Sequence, residues 1–96
     1  MVLQFTPSQF SILHMGFLLG DPTTDFEPDQ MPVPAKAVEQ LRQMLATAQD
    51  NSLDLTPELA RVLEDCFLVG TESKRGTADV GDYEFNAILY ILRRAH

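Results

Sequence analysis

The stretch FTPSQFSILHMGFLLG, residues 5–20, returns fifty positions later as LTPELARVLEDCFLVG, residues 55–70. Each copy carries a threonine suited to cap a helix, a proline at the first helical position and a glycine where a helix stops. In the first copy Gln9 completes a capping box, Phe5 is placed to pack on Phe10, and Gly20 is expected to be left-handed. In the second copy Val69 is expected to be buried. The identical pairs are Thr6/Thr56, Pro7/Pro57, Leu13/Leu63, Phe17/Phe67, Leu18/Leu68 and Gly20/Gly70. The sequence therefore predicts a duplicated helix as the element that organises the fold.

Each copy is followed by a second helical pattern. A proline-rich loop follows the first copy, and we expect its acids Asp21, Asp25, Glu27 and Asp29 to be solvated. Val38, Leu41 and Leu45 then recur at helical spacing, and residues 87–92 form an apolar run near the end of the chain. Arg93, Arg94 and His96 follow that run and are expected to complement the dipole of helix four. The fifty-residue offset continues into this pair of helices. The aligned positions are Ala37/Ala87, Val38/Ile88 and Leu41/Ile91. Convergence is the other explanation, because Thr-Pro starts and glycine stops recur for capping reasons.

We interpret the chain as a single all-α domain over residues 1–96. The predicted architecture is a four-helix bundle of two similar helix-loop-helix hairpins, with repeat units 1–50 and 51–96 and a pseudo-twofold repeat. Helix four is expected to be central because six consecutive apolar residues leave it little polar surface.

Composition narrows the class of protein. Fourteen acids against seven Lys and Arg give a net charge of −7, which repels phosphate backbones and argues against direct nucleic-acid binding. The single cysteine, Cys66, excludes an internal disulfide framework and favours a reducing compartment, so we expect a cytoplasmic protein. No apolar stretch approaches the roughly 20 residues that a membrane helix needs, so no membrane partner is predicted.

The end of the second unit resembles the EF-hand calcium-binding family. The positions that carry the resemblance are Val80, Glu84, Phe85, Ile88 and Leu89. Counted back from Glu84 as the twelfth loop position, the first, third and fifth ligand positions hold Ser73, Arg75 and Thr77. An arginine among the ligands opposes a cation, so the resemblance implies a degenerate EF-hand-like metal sensor.

Catalytic motifs are lacking in this sequence. No glycine-rich phosphate loop, nucleophile elbow or paired zinc-ligand motif is present. His14 and Cys66 carry soft-ligand chemistry but share no local motif, and Cys66 fits a small core residue. We predict no enzyme activity, no metal site and no cofactor.

The favoured function is that of a small acidic protein-interaction module, which means an adaptor, a regulator or a subunit of a larger complex. Helix one would be its main contact, because residues 1–20 contain no Asp, Glu, Lys or Arg. The candidate partner-binding residues are Ser8, Ser11, His14, Met15 and Leu18 on helix one and Asp25, Glu27 and Asp29 in the acidic loop. Homodimerisation through helix one is the simplest version, and the acidic loop would suit a basic partner protein.

An acidic inhibitor of the antitoxin or anti-defence type is the alternative. Such a protein mimics nucleic acid by presenting carboxylates in rows at phosphate spacing on one face. The acids of this chain fall mostly in loops and at helix starts, which favours the interaction module.

Overall fold

The computed structural model describes residues 1–24, 30, 33–73 and 82–96. The prediction of a mostly helical chain is confirmed, with two short strands added to it. In chain order the elements are β1 (Val2–Gln4), α1 (Pro7–Leu19), a 3-10 turn (Pro22–Thr24), α2 (Ala35–Thr47), β2 (Ser52–Asp54), α3 (Pro57–Ser73) and α4 (Asp82–Arg93). In the part of the chain so described, no helix is long and apolar enough to cross a membrane.

The start of α1 is fixed by the capping box that the sequence predicts. Thr6 Oγ1 accepts a hydrogen bond from Gln9 N at 3.1 Å, and Thr6 N donates to Gln9 Oε1 at 3.0 Å. The Phe5 and Phe10 rings pack edge to face with centroids 6.4 Å apart, which staples the chain before the cap onto the first turn. The direction in which the chain enters α1 is therefore set locally.

The two strands precede α1 and α3 and pair with each other in antiparallel fashion. Their register places Leu3 opposite Leu53, and both leucines are buried. The flanking pairs are Val2–Asp54 and Gln4–Ser52. Because fifty residues separate Leu3 from Leu53, the sheet ties the start of the chain to the segment that precedes α3.

A backbone contact joins the other ends of α1 and α3, which make the most extensive helix contact in the described structure. A Cβ placed on Gly20 would lie 2.7 Å from Gly70 N and would collide with Cys66 O. A Cβ on Gly70 would lie 2.7 Å from Gly20 N and would collide with Gly16 O. Since Gly16 and Cys66 are equivalent at the fifty-residue offset, the contact is reciprocal between the two copies.

The core is formed by all four helices together with both strands. Several side chains are fully enclosed, and many of them are related by the fifty-residue offset of the sequence. The largest are Phe17, Phe67, Leu13, Leu41, Leu55, Leu63, Ile88, Leu92 and Val38.

The prediction that helix four is central is wrong. It is α3 that contacts each of the other three helices, and α1 packs mainly on α3. The apolar run of α4 includes Tyr90, whose side chain points outward, and Ile91 is only half-buried. The apolar run is therefore split between a buried and an exposed side.

The helix ends also differ from expectation. Gly20 has φ −97°, so it does not adopt the left-handed conformation predicted for a glycine stop. Gly70 does not end its helix, since α3 continues to Ser73. Val69, predicted to be buried, is 55% exposed. Glycine is needed at both positions because the backbones of α1 and α3 approach closely there. The preference for glycine at helix ends, on which the prediction rested, does not anticipate this contact.

Replacing Gly70 by alanine should destabilise the protein by about 2 kcal/mol or more. Alanine is favoured over glycine inside a helix by about 1 kcal/mol, but the new methyl group meets backbone atoms of α1 that cannot rotate away. Urea denaturation followed by circular dichroism measures the change. Gln40→Ala on the exposed surface of α2 is the control and should stay within about 0.5 kcal/mol of the parent. A Gly70→Ala protein as stable as the parent would contradict the close approach.

Candidate functional site

Helix α1 presents one face to α3 and the core and the opposite face outward. Leu13, Gly16 and Phe17 are buried on the inner face. Positions three, four and seven residues apart share one side of a helix, so Ser8, Ser11, Met15, Leu18 and Leu19 form the outer side. We call this set the α1 face.

The α1 face carries exposed apolar side chains at its carboxyl end. Met15, Leu18 and Leu19 are 41%, 52% and 42% exposed, and Ser8 and Ser11 are exposed at the amino end. The structure therefore brings four of the predicted contact residues, Ser8, Ser11, Met15 and Leu18, onto one surface. Leu19 was not among the predicted residues, although it follows Met15 by four positions and belongs to the same stripe.

His14 lies at the edge of the α1 face and is half-buried. Its imidazole packs edge to face on Phe10, with ring centroids 6.2 Å apart. The fifty-residue equivalent of His14 is Glu64, whose side chain pairs with Arg93 and His96 instead. His14 therefore acts as a boundary residue that rests on an aromatic ring. The predicted contacts Asp25, Glu27 and Asp29 lie outside the described residues.

The equivalent face of α3 has an ordinary charged character. Ser11 and Met15 correspond to Arg61 and Asp65, and both charged residues are exposed. An exposed charged side chain keeps its hydration, whereas a methionine at the same position leaves apolar surface in contact with water. The two copies share their inner faces. Their outer faces differ at Ser11/Arg61 and Met15/Asp65, whereas Leu19 and its equivalent Val69 are both exposed apolar residues.

The first polar cluster outside the α1 face is centred on Asp21, whose side chain is buried. Its carboxylate accepts hydrogen bonds from Thr23 N at 2.9 Å, from Thr23 Oγ1 at 2.7 Å and from Arg42 Nη2 at 2.7 Å. Burial by itself raises the pKa of Asp21, but the Thr23 and Arg42 donors outweigh it and hold that pKa below its ordinary value. The expectation that Asp21 belongs to a solvated acidic loop is therefore wrong.

The Asp21 cluster is a structural junction. It fixes the chain that leaves α1 against the middle of α2, across twenty-one residues of sequence. Arg42 occupies the side of the carboxylate where a cation would bind. Within the described residues, no group of three or more His, Cys, Asp or Glu side chains could hold a metal ion.

Glu64 is the second buried carboxylate. Arg93 Nε donates to its Oε1 at 2.6 Å, and His96 Nε2 lies 3.2 Å from Oε2. These two basic residues were expected to complement the dipole of helix four. Their side chains instead bind a carboxylate of α3, so the carboxyl end of α4 is held against that helix.

Cys66 is buried in the core, as predicted. Burial raises the pKa of the thiol to about 12, and the negative charges of Asp21 and Asp65 add to the shift. The thiol stays protonated at neutral pH, and a protonated thiol is a poor nucleophile.

Helix α4 exposes two aromatic side chains that the sequence analysis did not single out. Tyr83 is 81% exposed and Tyr90 is 71% exposed. Their spacing of seven residues places both on one side of the helix, and this spacing was the available signal.

The exposed carboxylates of the described residues are distributed over several elements. They are Glu39 on α2, Asp50 in the turn before β2, Asp54 on β2, and Glu58 and Asp65 on α3. The nucleic-acid mimic remains a prediction.

The stability of the Asp21 junction should depend on pH. We expect Asp21→Asn to lower the free energy of unfolding by about 1–3 kcal/mol at pH 7, because it removes a buried charged acceptor. A folded pKa below the unfolded value of about 3.9 means that this contribution is complete above that value. It is lost as the pH falls through the folded pKa, so the parent and the variant should converge in strong acid.

Chemical denaturation at a series of pH values measures this difference. Asp54→Asn removes an exposed carboxylate and should have little effect at any pH. A difference between the parent and Asp21→Asn that stays constant down to strong acid would contradict the charged pairing with Arg42.

We compared the chain with protein-family models, with curated proteins and with solved structures, and none of the three comparisons found a match.

Proposed function

We propose that this protein is a small protein-interaction module, an adaptor, regulator or subunit of a larger complex, and that its partner covers the α1 face. The observation that carries the proposal is the exposure of Met15, Leu18 and Leu19 on a helix without a single charged residue. Apolar side chains that are exposed on a folded chain are in contact with water. Covering them with another chain lowers the free energy of the system, which favours binding.

Burial of the α1 face leaves no ionised group without a partner. Desolvation of a lone charge costs several kcal/mol, and the buried centres of protein interfaces are accordingly depleted of charge. Ser8 and Ser11 place small hydroxyl groups at the amino end of the face, where they can hydrogen-bond to a partner or to water at its rim. The composition of the face thus matches an interface better than a permanently hydrated surface.

We also propose that the four helices form one bundle of two related units with an approximate twofold axis. Three observations support it. The strand pairs Val2–Asp54 and Gln4–Ser52 exchange when the fifty-residue offset is applied. The contacts of Gly20 and Gly70 exchange in the same way. The equivalent pairs Leu13/Leu63, Phe17/Phe67 and Val38/Ile88 are fully buried.

A second copy of the chain is the simplest occupant of the α1 face. Two molecules with a net charge of −7 each repel one another at most orientations. They approach without opposing like charges where each presents an uncharged surface, and the α1 face is such a surface. A twofold dimer would then place the same patch of both copies in contact.

Self-association can be measured by sedimentation equilibrium over a wide range of protein concentration. We expect the parent chain to dimerise and Leu18→Glu to weaken dimerisation about tenfold or more, because it buries a charge without a partner. Gln43→Glu adds the same charge to an exposed position of α2 and should leave the dissociation constant unchanged. Equal weakening by both variants would point to net charge, not to the α1 face.

A strictly monomeric parent chain would exclude the second copy and leave a different protein as the occupant. Affinity capture from the native cell, with the parent chain and the Ser11→Glu and Leu18→Glu variants as baits, then tests the face itself. Loss of a captured protein with both variants, but not with Gln43→Glu, would support the α1 face. An unchanged set of captured proteins would exclude it.

A further inference from the structure

The outer side of α4 carries a narrow column of three side chains. Tyr83, Tyr90 and Arg94 are spaced seven and four residues apart, which places them within a small angle on one side of the helix. A helical rise of 1.5 Å per residue puts the two tyrosine positions about 10.5 Å apart. Arg94 follows the last residue of α4 and is kept near the helical path because its N–H donates to Ile91 O at 3.2 Å.

The core does not need these side chains. Ile88 and Leu92 are fully buried on the inner side of α4, and Phe85 stacks on Phe67 with ring centroids 5.6 Å apart. Tyr83 and Tyr90 leave most of their surface in water. Two tyrosines that contribute so little to packing form an aromatic surface on the outside of a stable helix.

The column ends in one basic residue, in a chain that is strongly acidic overall. Arg93 and Arg94 are both exposed, and Arg93 is paired with Glu64. Arg94 makes no ion pair with any residue that the structure describes. Glu84 is the one acid between residues 83 and 96; it is half-buried, with Oε2 enclosed. Within the residues that the structure describes, the column therefore ends in a cation without an ion-pair partner.

We propose that Tyr83, Tyr90 and Arg94 form a docking surface for an acidic segment of a partner protein. A guanidinium binds a carboxylate through two parallel hydrogen bonds, and phenolic hydroxyl groups donate to further carboxylates. Tyrosine and arginine are also the residue types that contribute most to binding free energy at protein interfaces. A protein segment fits better than a nucleic acid, because a phosphate backbone carries a charge at every nucleotide and needs several cations, whereas the column offers one.

This docking surface is independent of the α1 face. It lies on a different helix and uses aromatic and cationic groups where the α1 face uses uncharged apolar ones. Failure of the dimerisation test therefore leaves this surface unaffected, and the reverse also holds.

The probe is an amphipathic helical peptide of about 15 residues, long enough to form some helix alone, with leucine on one side and glutamate on the other. A peptide with lysine in place of every glutamate is its counterpart. Binding to the intact chain is measured by fluorescence anisotropy, and amide chemical-shift changes locate the contact. We expect the glutamate peptide to bind and to shift amides around residues 83, 90 and 94, and the lysine peptide to leave them unchanged.

The variants are Tyr90→Ala and Arg94→Glu, each at an exposed position where the fold should tolerate the change. Each should weaken binding of the glutamate peptide about tenfold or more. Arg61→Glu makes the same charge change at an exposed position of α3 and should not alter binding.

Several outcomes would overturn the proposal. They are equal binding of the two peptides, shifts that map elsewhere on the chain, equal losses for Arg94→Glu and Arg61→Glu, and an absence of any shift near the column. A single-stranded oligonucleotide of the same length serves as competitor. If it binds at the column more tightly than the glutamate peptide, the partner is a nucleic acid and the protein-segment proposal is wrong.

Discussion

At Gly20 and Gly70 two helices approach so closely that neither position has room for a methyl group. This backbone contact sets the geometry of the whole chain, because it fixes the distance between α1 and α3 at their carboxyl ends. With that distance fixed, Phe17 and Phe67 are both fully buried, and the Phe67 ring lies directly against Gly16 of α1. Any larger residue at the crossing would move the helices apart and leave that space poorly filled.

The amino ends of the same two helices are held by the short sheet. Leu3 and Leu53 are paired and buried there, while the Thr6 capping box sets the start of α1. A helix pair fixed at both ends has little freedom to slide or rotate. The remaining helices then attach to a rigid centre through the polar contacts Asp21–Arg42 and Glu64–Arg93 as well as through apolar packing. Both contacts bury a carboxylate and leave the arginine partly exposed, so the charge is neutralised without full desolvation of the pair.

Local signals in the sequence were sufficient to predict the four helices, the residues at which they start and much of the core. The capping box, the packing of Phe5 on Phe10 and the burial of Cys66 depend on residues close in sequence or on residue type alone. The strands were missed because three residues hold no readable alternation, and their pairing spans fifty positions. The burial of Asp21 was missed for the same reason, since its partner Arg42 lies on another helix.

The two candidate surfaces, the α1 face and the α4 column, also differ in how far the sequence alone predicts them. The absence of charge from residues 1–20 is visible in the sequence, and the exposure of Met15 and Leu18 agrees with the interpretation drawn from it. The α4 column was hidden because Tyr90 was counted as part of an apolar run. Tyrosine joins an apolar ring to a polar hydroxyl group, so its side of the helix is decided by the packing of its neighbours.

The fifty-residue sequence repeat allows the outer sides of α1 and α3 to be compared position by position. Ser11 and Met15 of α1 stand where α3 has the exposed charged residues Arg61 and Asp65. The inner residues Leu13 and Phe17, by contrast, are matched by a buried leucine and a buried phenylalanine of α3. Close packing restricts which side chains fit at a buried position, whereas an exposed position accepts most of them. The fold therefore does not require the outer side of α1 to be free of charge, and contact with another chain is the explanation that we propose for it.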